Sequence, residues 1–170
     1  MTTTNSNSED GSTAKPVVKV LLADDHTMFR QGLARLLDSH DGIEVVAWVP
    51  NDDEVPELAR ELRPDVVVME VRVGLEEAGV ALHAILAISP PPKVIVVTMI
   101  EDPAMMRAFL RLGASGYVPK SSSTAALVDA IRAAASAPED GNGGAGGIGG
   151  TAWVPLTAED IGENGADGRG

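Results

Sequence analysis

The chain has 170 residues, 44% of them apolar but only 3% aromatic, which fits one domain with an aliphatic core plus some tail. A formal net charge of -12 argues against the clustered Lys/Arg surface that broad nucleic-acid binding needs. The absence of cysteine excludes a disulfide scaffold and any Cys-based metal or nucleophile site.

Residues 1–15 are small and polar and read as a disordered tail. Met1 to Ser12 holds no apolar stretch, so it is not a signal peptide. No run approaches the ~18 apolar residues that span a bilayer, and a cytoplasmic protein is expected.

Residues 16–137 read as one folded domain in which two textures alternate. Short β-branched runs, expected as strands, come at Val17–Leu22, Ile43–Val49, Val66–Met69, Val94–Thr98 and Ser115–Val118. Ala/Leu/Arg stretches with apolar residues three and four apart predict helices over Met28–Leu37, Val55–Leu62, Val80–Ile88, Ala104–Leu112 and Thr124–Ala135. Pro64 and Asp65 separate the second helix from the third strand, Pro103 suits a first helical turn, and Gly113 suits the C′ position. Strands alternating with helices imply right-handed βαβ units, a doubly wound parallel sheet, and a functional crevice at the carboxyl ends of the strands.

Residues 138–170 hold 11 of the 18 glycines and read as a flexible, acidic tail. Within it Trp153 to Ile161 is the one island that could adopt local structure.

The strand ends carry Asp24-Asp25, Glu70, Thr98 and, after the fifth strand, Lys120. Clustered carboxylates repel one another and invite a hard divalent cation such as Mg²⁺. A Lys and a hydroxyl opposite them suit phosphoryl oxygens, and together these groups would support phosphoryl transfer onto a carboxylate. Each residue also has a purely structural role to weigh. Asp24-Asp25 could cap a helix, Thr98 could be a satisfied strand-end hydroxyl, and Lys120 a solvated surface lysine. Glu70 could be the first exposed residue past a buried strand. Met105 and Met106 suit helix packing, and Trp48 a strand face.

Several ordered stretches carry a family likeness: Val20-Leu21-Leu22-Ala23-Asp24-Asp25-His26, Pro64-Asp65-Val66-Val67-Val68-Met69, Val96-Val97-Thr98-Met99 and Leu112-Gly113-Ala114-Ser115-Gly116-Tyr117-Val118-Pro119-Lys120. They resemble two-component response-regulator receiver domains over residues 17–135. The Asp-Asp-His opening and the Gly-Ala-Ser-Gly-Tyr segment are similar to the NarL/FixJ (LuxR-type) branch, whose members usually regulate transcription. The resemblance implies a five-stranded (βα)5 flavodoxin/CheY-like sheet in order 2-1-3-4-5. It implies Asp25 with Asp24 as Mg²⁺ ligands, Thr98 as the hydroxyl that follows the phosphoryl group, and Lys120 as the ammonium that pairs with it. Tyr117 would swing inward when Thr98 moves, shifting a two-state equilibrium on the face of helix four, strand five and helix five. A histidine kinase or another response regulator is the implied partner, and that face is the implied homodimer surface.

The departures concern chemistry. The phosphoacceptor position, also the third acid of the metal pocket, holds Glu70. Its carboxylate sits about 1.5 Å further out than that of Asp, an error that can slow a reaction on the order of 10²-fold. Mg²⁺ binding is expected to be weak or absent. The loop Val71–Gly79 lacks the usual Met-Pro and is one residue longer than the common pattern before its Gly, and Ser121 follows Lys120 where many receivers have proline. Pro155 to Asp160 resembles the start of a helix-turn-helix that breaks off at Ile161, either a relic or a short binding motif. The expectation is a non-enzymatic signalling module, an atypical receiver acting through protein contacts in transcription control. The alternatives are a functional phosphorelay receiver or a truncated NarL-type DNA-binding regulator. A haloacid-dehalogenase-type phosphatase would need Asp-x-Asp where this chain has Asp24-Asp25-His26-Thr27. A flavodoxin-like cofactor site would need a phosphate-cradling loop after strand one. A partner surface could draw on Ala108, Leu112, Leu127 and Ile131, although core packing suits most of them better.

Overall fold

The computed structural model describes residues 16–71 and 75–137. The expected tails, the island 153–161 and residues 72–74 of the altered loop lie outside the described residues. The strands are β1 (Val18–Ala23), β2 (Ile43–Val49), β3 (Val66–Glu70), β4 (Lys93–Thr98) and β5 (Gly116–Pro119). The helices are α1 (Thr27–Asp38), α2 (Val55–Leu62), α3 (Leu75–Leu86), α4 (Pro103–Arg111) and α5 (Thr124–Ser136), and a 3₁₀ turn at Asp52–Glu54 leads into α2. All strand pairs are parallel, and the sheet order is β2-β1-β3-β4-β5, as the resemblance implies.

Side chains alternate across a strand, so each central strand feeds two cores. Val20, Leu22, Val66, Val68, Ile95 and Val97 pack with Leu33 and Leu37 of α1 and Leu127 and Ile131 of α5. Their neighbours Leu21, Ala23, Val67, Met69, Val94 and Val96 pack with Val55 of α2, Leu82 and Ile85 of α3 and Phe109 of α4. Every residue of β3 is buried, as befits a strand covered on both faces. With helices on both sides, the order reverses between β1 and β3, and the crevice at that reversal is where Asp24 and Glu70 emerge.

The predicted helices differ from the observed ones chiefly in α3, which begins at Leu75 rather than Val80 and ends at Leu86 rather than Ile88. Gly79 lowers helix propensity by roughly 1 kcal/mol relative to Ala and reads as a break. Tertiary contact overrides it: a Cβ there would lie 3.4 Å from Leu112 Cδ1. Ala78, Leu82 and Ile85 give the buried stripe, and Glu76 and Glu77 suit the positive end of the helix dipole. Pro103 opens α4, where the Asp102 side chain accepts a hydrogen bond from the Ala104 amide.

Gly113 follows α4 with φ +104, and a Cβ there would meet Leu86 Cδ1 at 2.7 Å. The left-handed backbone favours glycine, and an added Cβ would also make Leu86 shift. Gly113→Ala is expected to lower unfolding free energy by about 1–2 kcal/mol, read from the midpoint of urea denaturation. An unchanged midpoint would refute this account.

Candidate functional site

Hydrophobic burial of β1 and β3 side by side carries two acids to the same rim. Asp24 follows β1, and its amide donates to the Val49 carbonyl at 3.1 Å. Glu70 is the last residue of β3, and both acids are buried, at 3% and 5% exposure. The simple role of Glu70 as the first exposed residue past its strand is therefore wrong. Solvation alone would not hold two carboxylates there, and the compensating charge is Lys120. Its Nζ lies 2.7 Å from Asp24 Oδ2 and 2.7 Å from Glu70 Oε1, with the side chain only 4% exposed. The solvated-lysine reading fails for the same reason. Phe29 supports the ammonium with its ring face, 4.3 Å from Nζ to the centroid.

Lys120 is held by its backbone as well. Pro119 has no N–H, and the Lys120 amide donates to the Thr98 carbonyl at 2.8 Å. The Thr98 hydroxyl, 1% exposed with its residue, donates to the Val71 carbonyl at 2.7 Å and accepts from the Ile100 amide at 3.1 Å. Tyr117 OH donates to the Ile100 carbonyl at 2.6 Å. Its ring is buried and stacks on Phe109 with centroids 6.2 Å apart. Ile100 thus joins the hydroxyl and the aromatic through its own peptide groups, a link the sequence gives no sign of.

Asp25 and His26 complete the cluster. His26 Nδ1 lies 3.0 Å from Asp25 Oδ1, 3.1 Å from Glu70 Oε2 and 3.6 Å from Asp24 Oδ1. The His26 amide donates to Asp24 Oδ1 at 2.7 Å. The N-cap of α1 is His26 itself, without a side-chain cap, so Asp24-Asp25 do not act as a capping pair. The loop is fixed from beneath by buried Arg30, whose Nη1 donates to the Asp24 carbonyl and whose guanidinium lies 5.2 Å from the Trp48 ring centroid. His26 and Arg30 are absent from the residues predicted to form the site. The histidine sits inside the Asp-Asp-His stretch, but nothing in spacing alone points its ring at the acids.

The donor set fits a divalent cation. One ligand atom from each of Asp24, Asp25, His26 and Glu70 falls within 4.8 Å of the others. Three carboxylates against one ammonium leave two negative charges, which one dication would balance. Away from this rim, at the amino ends of the strands, a cleft of ≈ 440 Å³ is lined by residues including Arg60, Arg63, Asp65 and Lys93. It includes no predicted site residue. Among the described residues no helix is long and apolar enough to cross a membrane.

Comparison with known proteins agrees with this architecture. The response regulator receiver domain family matches residues 20–132. The response regulator GacA of Pseudomonas syringae pv. syringae is 39% identical over 120 residues, covering 68% of this chain and 54% of the relative. The transcriptional regulatory protein LiaR of Bacillus subtilis is 37% identical over 118 residues, covering 69% and 56%. The chain thus spans about half the length of the curated relatives it matches. Among solved structures, the receiver domain of NarL from Mycobacterium tuberculosis superposes with a TM-score of 0.65 at 27% identity, covering 71% of this chain and 97% of that one. A LuxR-family response regulator from Aurantimonas sp. gives a TM-score of 0.65 at 34% identity, covering 70% and 85%. Receiver domains are signalling modules that bind Mg²⁺ at an acidic pocket, and such a cluster is present here. The chain belongs to the response-regulator receiver-domain family of two-component signalling, in its NarL/LuxR-type branch.

Proposed function

We propose that this receiver is atypical: it acts in transcription control through protein contacts, and ordinary phosphotransfer to position 70 is lost. The observation that carries this reading is the engagement of both oxygens of Glu70. Oε1 is 2.7 Å from Lys120 Nζ and Oε2 is 3.1 Å from His26 Nδ1, so the longer stem brings a fixed anion to the ammonium. In phosphotransfer that ammonium would meet phosphoryl oxygens. An Asp at this place stops about 1.5 Å short, leaving room for the group it accepts.

The roles in this reading fall to residues of the rim. Asp24, Asp25 and Glu70 are the acids that would hold Mg²⁺, whose contribution when bound is to neutralise charge on oxygens nearby. Lys120 meets the anion, Thr98 is the mobile hydroxyl, and Tyr117 reports the state to the surface. Burial of the Tyr117 ring supports an inward, active-like setting of the switch. The partner is a histidine kinase or another response regulator, met in the cytoplasm on the α4-β5-α5 face, without direct nucleic-acid contact by this chain. Of the apolar residues considered for that face, Leu127 and Ile131 are spent on the core. Ala108 is half-buried, and Leu112 is 45% exposed and available. The alternative, a working phosphorelay receiver, is favoured by the presence of Asp24, Asp25, Thr98 and Lys120 together around position 70.

Two measurements test this account. Incubated with Mg²⁺ and acetyl phosphate, the native chain is expected to give no stable adduct by intact mass over a time in which Glu70→Asp becomes phosphorylated. A stable phosphorylated Glu70 in the native chain would overturn the proposal. The inward setting is read from the phenol, because Tyr117 is the chain's one tyrosine. Burial, then the charges of Asp102 and Glu101, push its pKa above 10.0. Burial of the neutral phenol therefore adds stability that is fully present below pH 10 and is lost as pH rises through the higher folded pKa. Spectrophotometric titration of the folded protein should place ionisation above that of the urea-unfolded chain. Coincident curves would mean the ring spends its time in water.

A further inference from the structure

We propose that the cleft at the amino ends of the strands is the docking site of Glu139 and Asp140, the first charged residues of the chain beyond α5. This cleft lies at the opposite end of the sheet from the acid cluster and shares no residue with it.

The cleft of ≈ 440 Å³ is framed by the end of α2, the starts of β3 and β4, and the end of α5. In a chain with a net charge of -12 its lining is positive, with Arg60, Arg63 and Lys93 against one acid, Asp65. Asp65 is engaged by the neighbouring strand, its Oδ2 accepting from the Lys19 amide at 2.7 Å. Three cations against one acid leave two positive charges, which two carboxylates would balance. Pro64 and Pro90 to Pro92 form another part of the wall and carry no N–H. Recognition of an acid there falls to the guanidinium and ammonium groups, which suit carboxylates well.

The two arginines differ. Arg60 has a local role at the end of α2, where its Nη1 donates to the Pro56 carbonyl at 3.2 Å. Among the described residues the Arg63 side chain has no hydrogen-bond or ion-pair partner, and its backbone sits at φ +48 just past α2. Glycine or asparagine is the usual residue at such a helix stop, and arginine carries a backbone cost that glycine would not. What that position provides instead is a guanidinium beside the cleft.

The chain itself delivers the acids. Ala135 and Ala137 line the same cleft, and Ala137 ends α5 in an extended conformation, with φ -72 and ψ 136. Pro138 cannot continue the helix, and Glu139 and Asp140 follow it directly. Three extended residues reach about 10 Å, comparable with the width of a cleft of this volume. Beyond them a glycine-rich stretch begins, and the next acid is Glu159. Tethered this close to the cations, the pair has a high effective concentration. That offsets the weakness of exposed ion pairs taken singly. Seated in the cleft, the two acids would fix the direction in which the chain leaves the domain.

The test is the ¹H–¹⁵N heteronuclear NOE of the full labelled chain in low-salt, phosphate-free buffer, which reports order on the fast timescale. The amides of Glu139 and Asp140 are expected to be as ordered as those of α5. They should fall to the values of Gly143 to Gly150 in roughly 1 M NaCl, where the screening length is about 3 Å. Arg63→Gln should cause the same loss while the amides of α5 keep their native values, which also shows that the variant folds. The reciprocal double variant, Glu139→Gln with Asp140→Asn, should move the Arg63 Nε–H resonance. Native amides at 139 and 140 as mobile as the glycine stretch would overturn the proposal. So would order that survives both salt and Arg63→Gln, or an Arg63 signal that the double variant leaves in place. Order that rises with protein concentration would give the cleft to a second copy instead. Added inorganic phosphate that shifts the Arg63 signal while residues 139 and 140 stay mobile would give it to a free anion, and either result overturns these acids as its occupant.

Discussion

One ammonium holds the rim together. Lys120 lies 2.7 Å from an oxygen of each of two buried carboxylates that different strands bring to the same edge. Without a cation between them, Asp24 and Glu70 would repel at short range in a poorly solvated place. Removing one partner from such a buried group typically costs about 3–5 kcal/mol, because the remaining charge is left uncompensated. The parallel sheet supplies the geometry, since β1 and β3 are neighbours only at the point where the strand order reverses. Lys120 enters from the other side of the sheet, beyond β4 and β5, and so ties the strand ends across the whole crevice.

The same lysine couples the acids to the hydroxyl and the aromatic. Its amide bonds the carbonyl of Thr98, whose side chain shares Ile100 with Tyr117. Tyr117 therefore lies three hydrogen bonds from Lys120, whose ammonium is the one that meets Glu70. This is a continuous hydrogen-bonded path from the charged rim to the aromatic.

Much of the fold was legible because hydrophobic periodicity and punctuation agree. Val55–Leu62 is helical over the predicted span, and Ile43–Val49 is a strand over its predicted span. The start of α3 was not legible, because Gly79 breaks the pattern locally while packing under Leu112 decides the outcome. At the site, the acids, Thr98 and Lys120 could be read from their place at strand ends. The direction of His26 could not, since a ring orientation depends on the loop around Asp24 and not on spacing. Arg30 was hidden for a related reason: a charged residue on a helix reads as solvated, and only the fold shows that it is buried beneath a main-chain carbonyl.

Arg30 also gives the pocket an optical handle. Its guanidinium lies over the half-exposed indole of Trp48 while holding the carbonyl of Asp24. Indole emission responds to a nearby cation, so any rearrangement of the acidic loop that drags Arg30 should alter the colour or yield of that fluorescence. Trp48 is thus an intrinsic reporter beside the charged rim, read cleanly once the chain's second indole, Trp153, is replaced.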